Sequence, residues 1–298
     1  MSLRDVNSRQ LGLICRHSLV NALRSGSGLV YLMLALFFGL IAANAVISPF
    51  ELIASQRTEM SPAMLEQNLV TFARPVIEWA IGRDQVDIGT VAWVDYLLRE
   101  RPALMSAIFV VLVIGTPLLI PFGGFNQTSG DIGNRGLRYL LLRTERANIY
   151  YGRLLATMIV VIGVQILVIA IVALYLWLKL QIYAGVDILA WSLQGLFALS
   201  VLSLPYVAVC AWLSASTDSP MFSLVMSTAV IGGVLLGAAI AAARWDRGGL
   251  LAWLLPWGVQ HHLFRPELHI VALTAGACLL YTALFAWLGA RKFGTRDL

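Results

Sequence analysis

Charge is what this sequence has least of. Acidic and basic residues make up 12% of its 298 residues, where about 25% is usual in a soluble domain. No charge falls between Pro102 and Gly130, and none between Leu154 and Leu178. Runs of that length exclude a soluble globular protein and place the bulk of the chain in lipid. Lysine is almost missing, because only Lys179 and Lys292 stand among the 21 cations. The net charge of +5 comes from arginines that flank the apolar runs. Cations so placed point to a membrane surface and not to nucleic acid. Three cysteines, Cys15, Cys210 and Cys278, lie too far apart for a disulfide framework or a metal spacing. There is no G-x-x-x-x-G-K-[ST] segment to cradle a nucleotide and no H-E-x-x-H segment to hold zinc. No charged side chain lies deep in an apolar run, where a proton relay or an intramembrane metal would require one. The chain therefore reads as a non-enzymatic membrane subunit with no ATPase site, metal or cofactor of its own.

The apolar runs themselves define an all-α polytopic membrane protein in one transmembrane domain, 1–298. Six spans are expected at about 29–47, 103–122, 154–178, 188–213, 221–243 and 270–288, each near the 20 residues needed to cross the hydrocarbon core. Residues 1–28, with Arg4, Arg9, Arg16 and Arg24, read as an interfacial helix on the cytoplasmic face. Ala43-Asn44-Ala45 has the look of a leader cleavage site. The preceding segment is too long for an ordinary leader, so the first span is expected to stay as an anchor.

Residues 48–101 hold eight acids and five arginines and are too polar for lipid. Within them Leu65, Leu69, Phe72, Val76 and Trp79 recur on one helical face, behind Ser61-Pro62 as cap and first position. Pro75 is expected to kink that helix. This stretch is expected to be an extracytoplasmic helical insertion. Leu250 to Val259, broken by Pro256, is too short to span. It reads as a re-entrant hairpin or an interfacial helix with Trp253 and Trp257 at headgroup level.

Twelve cations on the expected inner segments face four on the short outer loops, Lys179, Arg244, Arg247 and Arg265. That bias puts both termini in the cytoplasm of a cell (inner) membrane. Gly233-Val-Leu-Leu-Gly237 offers a small-xxx-small face for helix packing. Polar residues inside the spans, among them Asn44, Thr116, Gln165 and Ser203, suit interhelical hydrogen bonds. His261-His262 are adjacent and point apart, so they are poor joint ligands.

The most informative stretch is Gly123 to Arg153, a polar island between two apolar runs. It carries Arg135, Arg138, Arg143, Arg146 and Arg153 against only Asp131 and Glu145. Leu137 to Tyr151 contains helix formers and no Pro or Gly, and reads as a short cytoplasmic helix that turns into the next span. Residues Ser129 to Arg153 resemble the loop between the second and third spans of ABC-2 type transporter permeases, of the type V exporter kind. Asp131 falls on the family's acid, Leu140-Leu141 on its leucine pair, Arg146 on its arginine, and Ile149 and Gly152-Arg153 on its closing elements. The family's Gly-Thr pair is Arg135-Gly136 or Gly136-Leu137 here, and its proline is replaced near Thr144. The six spans, the polar turn 214–220 and the basic end Arg291 to Leu298 also fit the family's layout.

The resemblance implies a permease subunit of an ATP-driven exporter with an unidentified substrate. Its partners would be two copies of a separate ABC ATP-binding subunit, carrying ATP and Mg, and a second permease copy or a sister permease. Membrane lipid would surround the spans, and the 48–101 insertion suggests an extracytoplasmic partner. The island's helix would be the coupling helix. Asp131, Arg138, Tyr139, Leu140, Leu142, Arg143 and Arg146 would then couple to the ATPase. The alternative is a membrane anchor or assembly scaffold that transports nothing.

Overall fold

The computed structural model describes residues 7–24, 26–55, 70–71, 73–75, 93–133, 140–180, 183–245 and 248–296. Among them every regular element is a helix, and there is no strand. Six helices are long and apolar enough to cross a membrane, so the chain has the fold of an all-α multi-pass membrane protein. A 17-residue helix α1 (Ser8–Arg24) comes first. The six long helices follow: α2 (Gly26–Ser55), α3 (Ala103–Gly124), α5 (Arg146–Leu180), α6 (Gly185–Ser216), α7 (Pro220–Arg244) and α8 (Leu268–Gly294), with a short α4 (Ser129–Gly133) between α3 and α5.

Each expected span lies inside one long helix, and the helices overrun the spans. The 35 residues of α5 extend roughly 52 Å at 1.5 Å per residue, well beyond a hydrocarbon core of about 30 Å. Its two arginines are gathered in the first two turns, Arg146 to Arg153. α2 continues past the expected end at Ile47 to Ser55. The five residues that would have formed the amphipathic face of the insertion, Leu65, Leu69, Phe72, Val76 and Trp79, lie outside the described residues, as do Ser61 and Pro62.

α3 and α6 form the middle of the bundle. In its most apolar window 78% of α3 is buried, against 22% of α7 and 17% of α8, so α7 and α8 form the rim. Apolarity all round α3 is what such burial requires. α6 packs against α8, α5, α3 and α7. Three polar residues read as interhelical partners, Asn44, Gln165 and Ser203, do join helices. Gln165 Nε2 donates to Ser203 Oγ and to the Leu199 carbonyl across the α5–α6 contact, the latter at 3.3 Å. Tyr175 donates to Asn44 Oδ1 at 3.4 Å.

One end of the bundle carries α1, α4 and the C-terminal residues, and is called the near end below. At the far end, Trp93 Nε1 donates to the Phe264 carbonyl at 3.1 Å. There the Arg101 guanidinium lies 5.1 Å from the Trp191 ring, a cation–π contact. These contacts fasten residues 93–101 to α6 and to the segment before α8.

That segment consists of three 3₁₀ turns, Gly248–Leu254, Pro256–Gly258 and Gln260–Phe264. Trp253 is exposed and Trp257 is buried. The Trp257 ring packs on Tyr206 at 5.3 Å, and its Nε1 donates to the Ile231 carbonyl at 3.3 Å. Ile231 is near the midpoint of α7 (Pro220–Arg244), so the chain dips into the bundle and returns. Trp257 is therefore buried against α6 and α7. Irregular backbone is tolerated at that depth because protein covers it; Leu255, Leu263 and Phe264 are all buried.

Candidate functional site: the polar loop between α3 and α5

The loop starts where α3 gives way to a tightly capped turn. Asn126 Oδ1 accepts from the Gly130 nitrogen at 3.0 Å. Ser214 Oγ, from the end of α6, accepts from the backbone nitrogens of Thr128 and Ser129 at 3.0 and 3.1 Å. A helix N-terminus has orphan N–H groups that a side-chain oxygen satisfies. Here a different helix supplies that oxygen. Gly133 lies against the Asp218 carbonyl, where a side chain would collide.

Arg153 closes the loop from the α5 side. Its Nη1 donates to the Gln127 carbonyl at 2.8 Å, and its Nη2 pairs with Asp131. The Asp131 side chain is 42% exposed. Such a pair contributes at most about 1 kcal/mol, so the carbonyl contact and the burial of Arg153 do more to fix the geometry. Asp131, expected to face a partner, is thus held by its own chain.

Arg146 is held in the same way. Its Nη1 donates to the carbonyls of Gly294 and Arg296, at 3.0 and 2.7 Å. Gly294 ends α8, where the last helical carbonyls lack intrahelical donors, and Arg296 lies just past it. Arg296 in turn donates from Nη1 to the Ala215 carbonyl at 2.8 Å and the Thr217 carbonyl at 3.3 Å. Its Nη2 pairs with Asp218. The near end is consequently a closed ring of polar ties: α5 to α8, α8 to the α6–α7 turn, that turn to α4, and α4 back to α5.

The tip of the loop is different. Leu140 and Leu141 are helical, but the expected single helix from Leu137 to Tyr151 is broken. The Leu140 carbonyl accepts from the nitrogens of Arg143 and Thr144, at 3.0 and 3.1 Å, closing a turn. Thr144 is drawn aside by donating to Gln10 Oε1 at 2.9 Å, and a new helix, α5, begins at Arg146. Asn148 Nδ2 donates to the same Gln10 oxygen at 3.0 Å, and its Oδ1 accepts from the Asn7 nitrogen at 3.0 Å. α1 crosses α5 at Gly152, where a Cβ would meet Ile14 Cβ at 3.1 Å and the Leu11 carbonyl at 3.3 Å. Burial pushes the Cys15 thiol, on α1, above its usual range.

Leu142 is 84% exposed and Leu140 is 40% exposed. Arg143 is exposed beside them. A cleft of about 980 Å³ opens next to the tip, with Leu141, Arg143, Glu145, Arg146 and Arg291 in its lining. Arg138 and Tyr139 lie outside the described residues. The structure therefore divides the expected coupling set. Asp131 and Arg146 are engaged within the chain, while Leu140, Leu142 and Arg143 are presented outward. Arg153 and Arg296, which hold the loop in place, were not in the expected coupling set.

Gly233 and Gly237 have no atom within 4 Å of where a Cβ would stand. Among the described residues no other helix approaches them at that distance. The small pair that α7 turns inward is Ser223 and Ser227, both fully buried. At the far end His262 is partly buried. That burial, with the nearby charge of Arg265, pushes its imidazole below the usual value. Comparison of the sequence with protein-family models and with curated proteins finds no match to either.

Proposed function

We propose that the chain is the permease subunit of an ATP-driven exporter of the ABC-2 type, moved by a separate ATP-binding subunit that seats on the loop between α3 and α5. The observation that supports this reading most is the contrast within the loop. Its base is tied to α5 and α8 by arginines and to α6 by Ser214, while its tip offers Leu142 and Leu140 to the medium beside Arg143. An exposed apolar patch rimmed by charge is the chemistry of a protein-binding surface. A rigid base is what lets a push on that surface reach the spans, since packed helices move as units.

On this reading the near end faces the cytoplasm, and two permeases work with two ATPases that hold ATP and Mg. Leu140, Leu142 and Arg143 form the outward contact, continued by Arg138 and Tyr139. Asp131 and Arg146 serve the coupling from inside, as fixtures of the loop. The bare rim of α7, with Gly233 and Gly237, is available to a second permease.

The test is co-purification from native membranes, followed by ATPase assay of the complex. Wild type is expected to retain an ABC-class ATPase. Leu142→Asp with Arg143→Glu is expected to lose it, or to lose its permease-stimulated turnover. A chain that retains only non-ATPase partners would favour the anchor or scaffold reading instead.

A further inference from the structure

Arg296 occupies two positions in the ring at once. Its main-chain carbonyl accepts from Arg146, at the foot of the loop. Its guanidinium caps the last carbonyls of α6 and pairs with Asp218 in the α6–α7 turn. One residue therefore stands between the loop and the C-terminal end of the central helix. We propose that residues Gly294–Arg296 form a strap, with Arg296 as a positioning residue that hands displacement of the 140–146 loop to the α6–α7 turn.

Three features support a strap over a passive cap. First, all its links are hydrogen bonds and ion pairs at the margin of water. The Asp218 side chain is 74% exposed and that of Arg296 17%, so the links can shift register without opening a packed core. Second, the strap links Arg146 to the α6 terminus directly, beside the α4–Ser214 link and the packing of α5 and α8 on α6. A pull on Arg146 thus reaches the α6 terminus by a second route. Third, α6 packs against α3, α5, α7 and α8, so its terminus is a point from which most of the bundle can be moved. The role of the strap in transport rests on the function proposed above. Its mechanical linkage does not.

The two are tested separately. In nanodiscs holding the full-length chain alone, Arg296→Ala is expected to speed amide exchange in both 140–148 and 215–219. The expected change is roughly tenfold, as when one charge-assisted hydrogen bond is lost. Asp218→Asn, which leaves the carbonyl caps intact, is expected to give a smaller rise in the same two segments. If either variant loosens 215–219 while 140–148 exchanges at the wild-type rate, Arg296 is only a local cap and the strap is refuted. In the complex, Arg296→Ala is expected to keep the ATPase bound while its stimulated rate falls several-fold. A bound partner with an unchanged rate contradicts the positioning role. Failure to find any ATPase partner overturns the functional reading and leaves the exchange result standing.

Discussion

Ser214 Oγ, at the end of α6, stands 3.0 Å from the backbone nitrogen of Thr128 and so caps a helix that is not its own. It is fully buried, in a setting where Ser129 also donates to it. The near end of the protein is organised by this kind of contact, in which a terminus of one element is satisfied by a side chain of another.

Replacing Ser214 by alanine is therefore expected to strand two N–H donors and destabilise the chain by about 1 kcal/mol. Exchange of the amides of 128–133 should rise, while that of mid-span residues stays unchanged. Scanning thermal unfolding in detergent, with exchange mass spectrometry, checks both parts.

Arg153 and Asp131 should respond unequally although they pair with each other. Arg153→Met leaves the Gln127 carbonyl and the carboxylate unsatisfied and should cost about 1–3 kcal/mol. Asp131→Asn, at a half-exposed carboxylate, should cost less than about 1 kcal/mol. Equal losses in melting experiments would mean that the ion pair, and not the carbonyl contact, holds the loop.

Trp253 and Trp257 lie four residues apart and should differ in access to water. A cysteine placed at 253 is expected to react with a membrane-impermeant maleimide, and one at 257 is expected to resist it. Comparable labelling would show that the segment lies flat in the interface and does not enter the bundle.

His262 gives a pH dependence with a definite sign. Its imidazole is held below the usual value of 6.5 by burial and then by Arg265, so the folded state favours the neutral ring. The unfolded chain takes up a proton as pH falls through about 6.5, and the folded chain does so only at lower pH. This contribution is present above that pH and is lost on acidification. The melting temperature should fall between pH 7.5 and 5.5 by more in wild type than in His262→Gln.

The spans were legible in the sequence because lipid leaves few alternatives: an uncharged run of 20 residues must become a helix that bonds its own backbone. α1 was legible for a similar reason. Its buried face was not: Leu11 and Ile14 lie against α5 at Gly152, while Leu13 and Val20, which recur at seven residues, are exposed. The partners of the arginines were not legible. Arg146 meets carbonyls that lie about 150 positions away along the chain, and a carbonyl has no signature in a sequence. The break at Leu142 to Glu145 was hidden because residues 137–151 are all compatible with helix. Only the pull of Gln10 on Thr144 distinguishes the turn. The burial of Trp257 was not legible because tryptophan suits an interface and a buried pocket equally, and its partners Tyr206 and Ile231 lie far off in sequence.

The central claim is that the tip of the loop is gripped from the cytoplasm by an ATP-binding protein. A photo-crosslinking amino acid at position 142, activated in intact cells, tests it most directly. The account predicts one dominant adduct, with an ATPase of the ABC class, and its loss when Arg143 is changed to Glu. An adduct formed only with proteins of the outer compartment, or none containing an ATP-binding subunit, would contradict it.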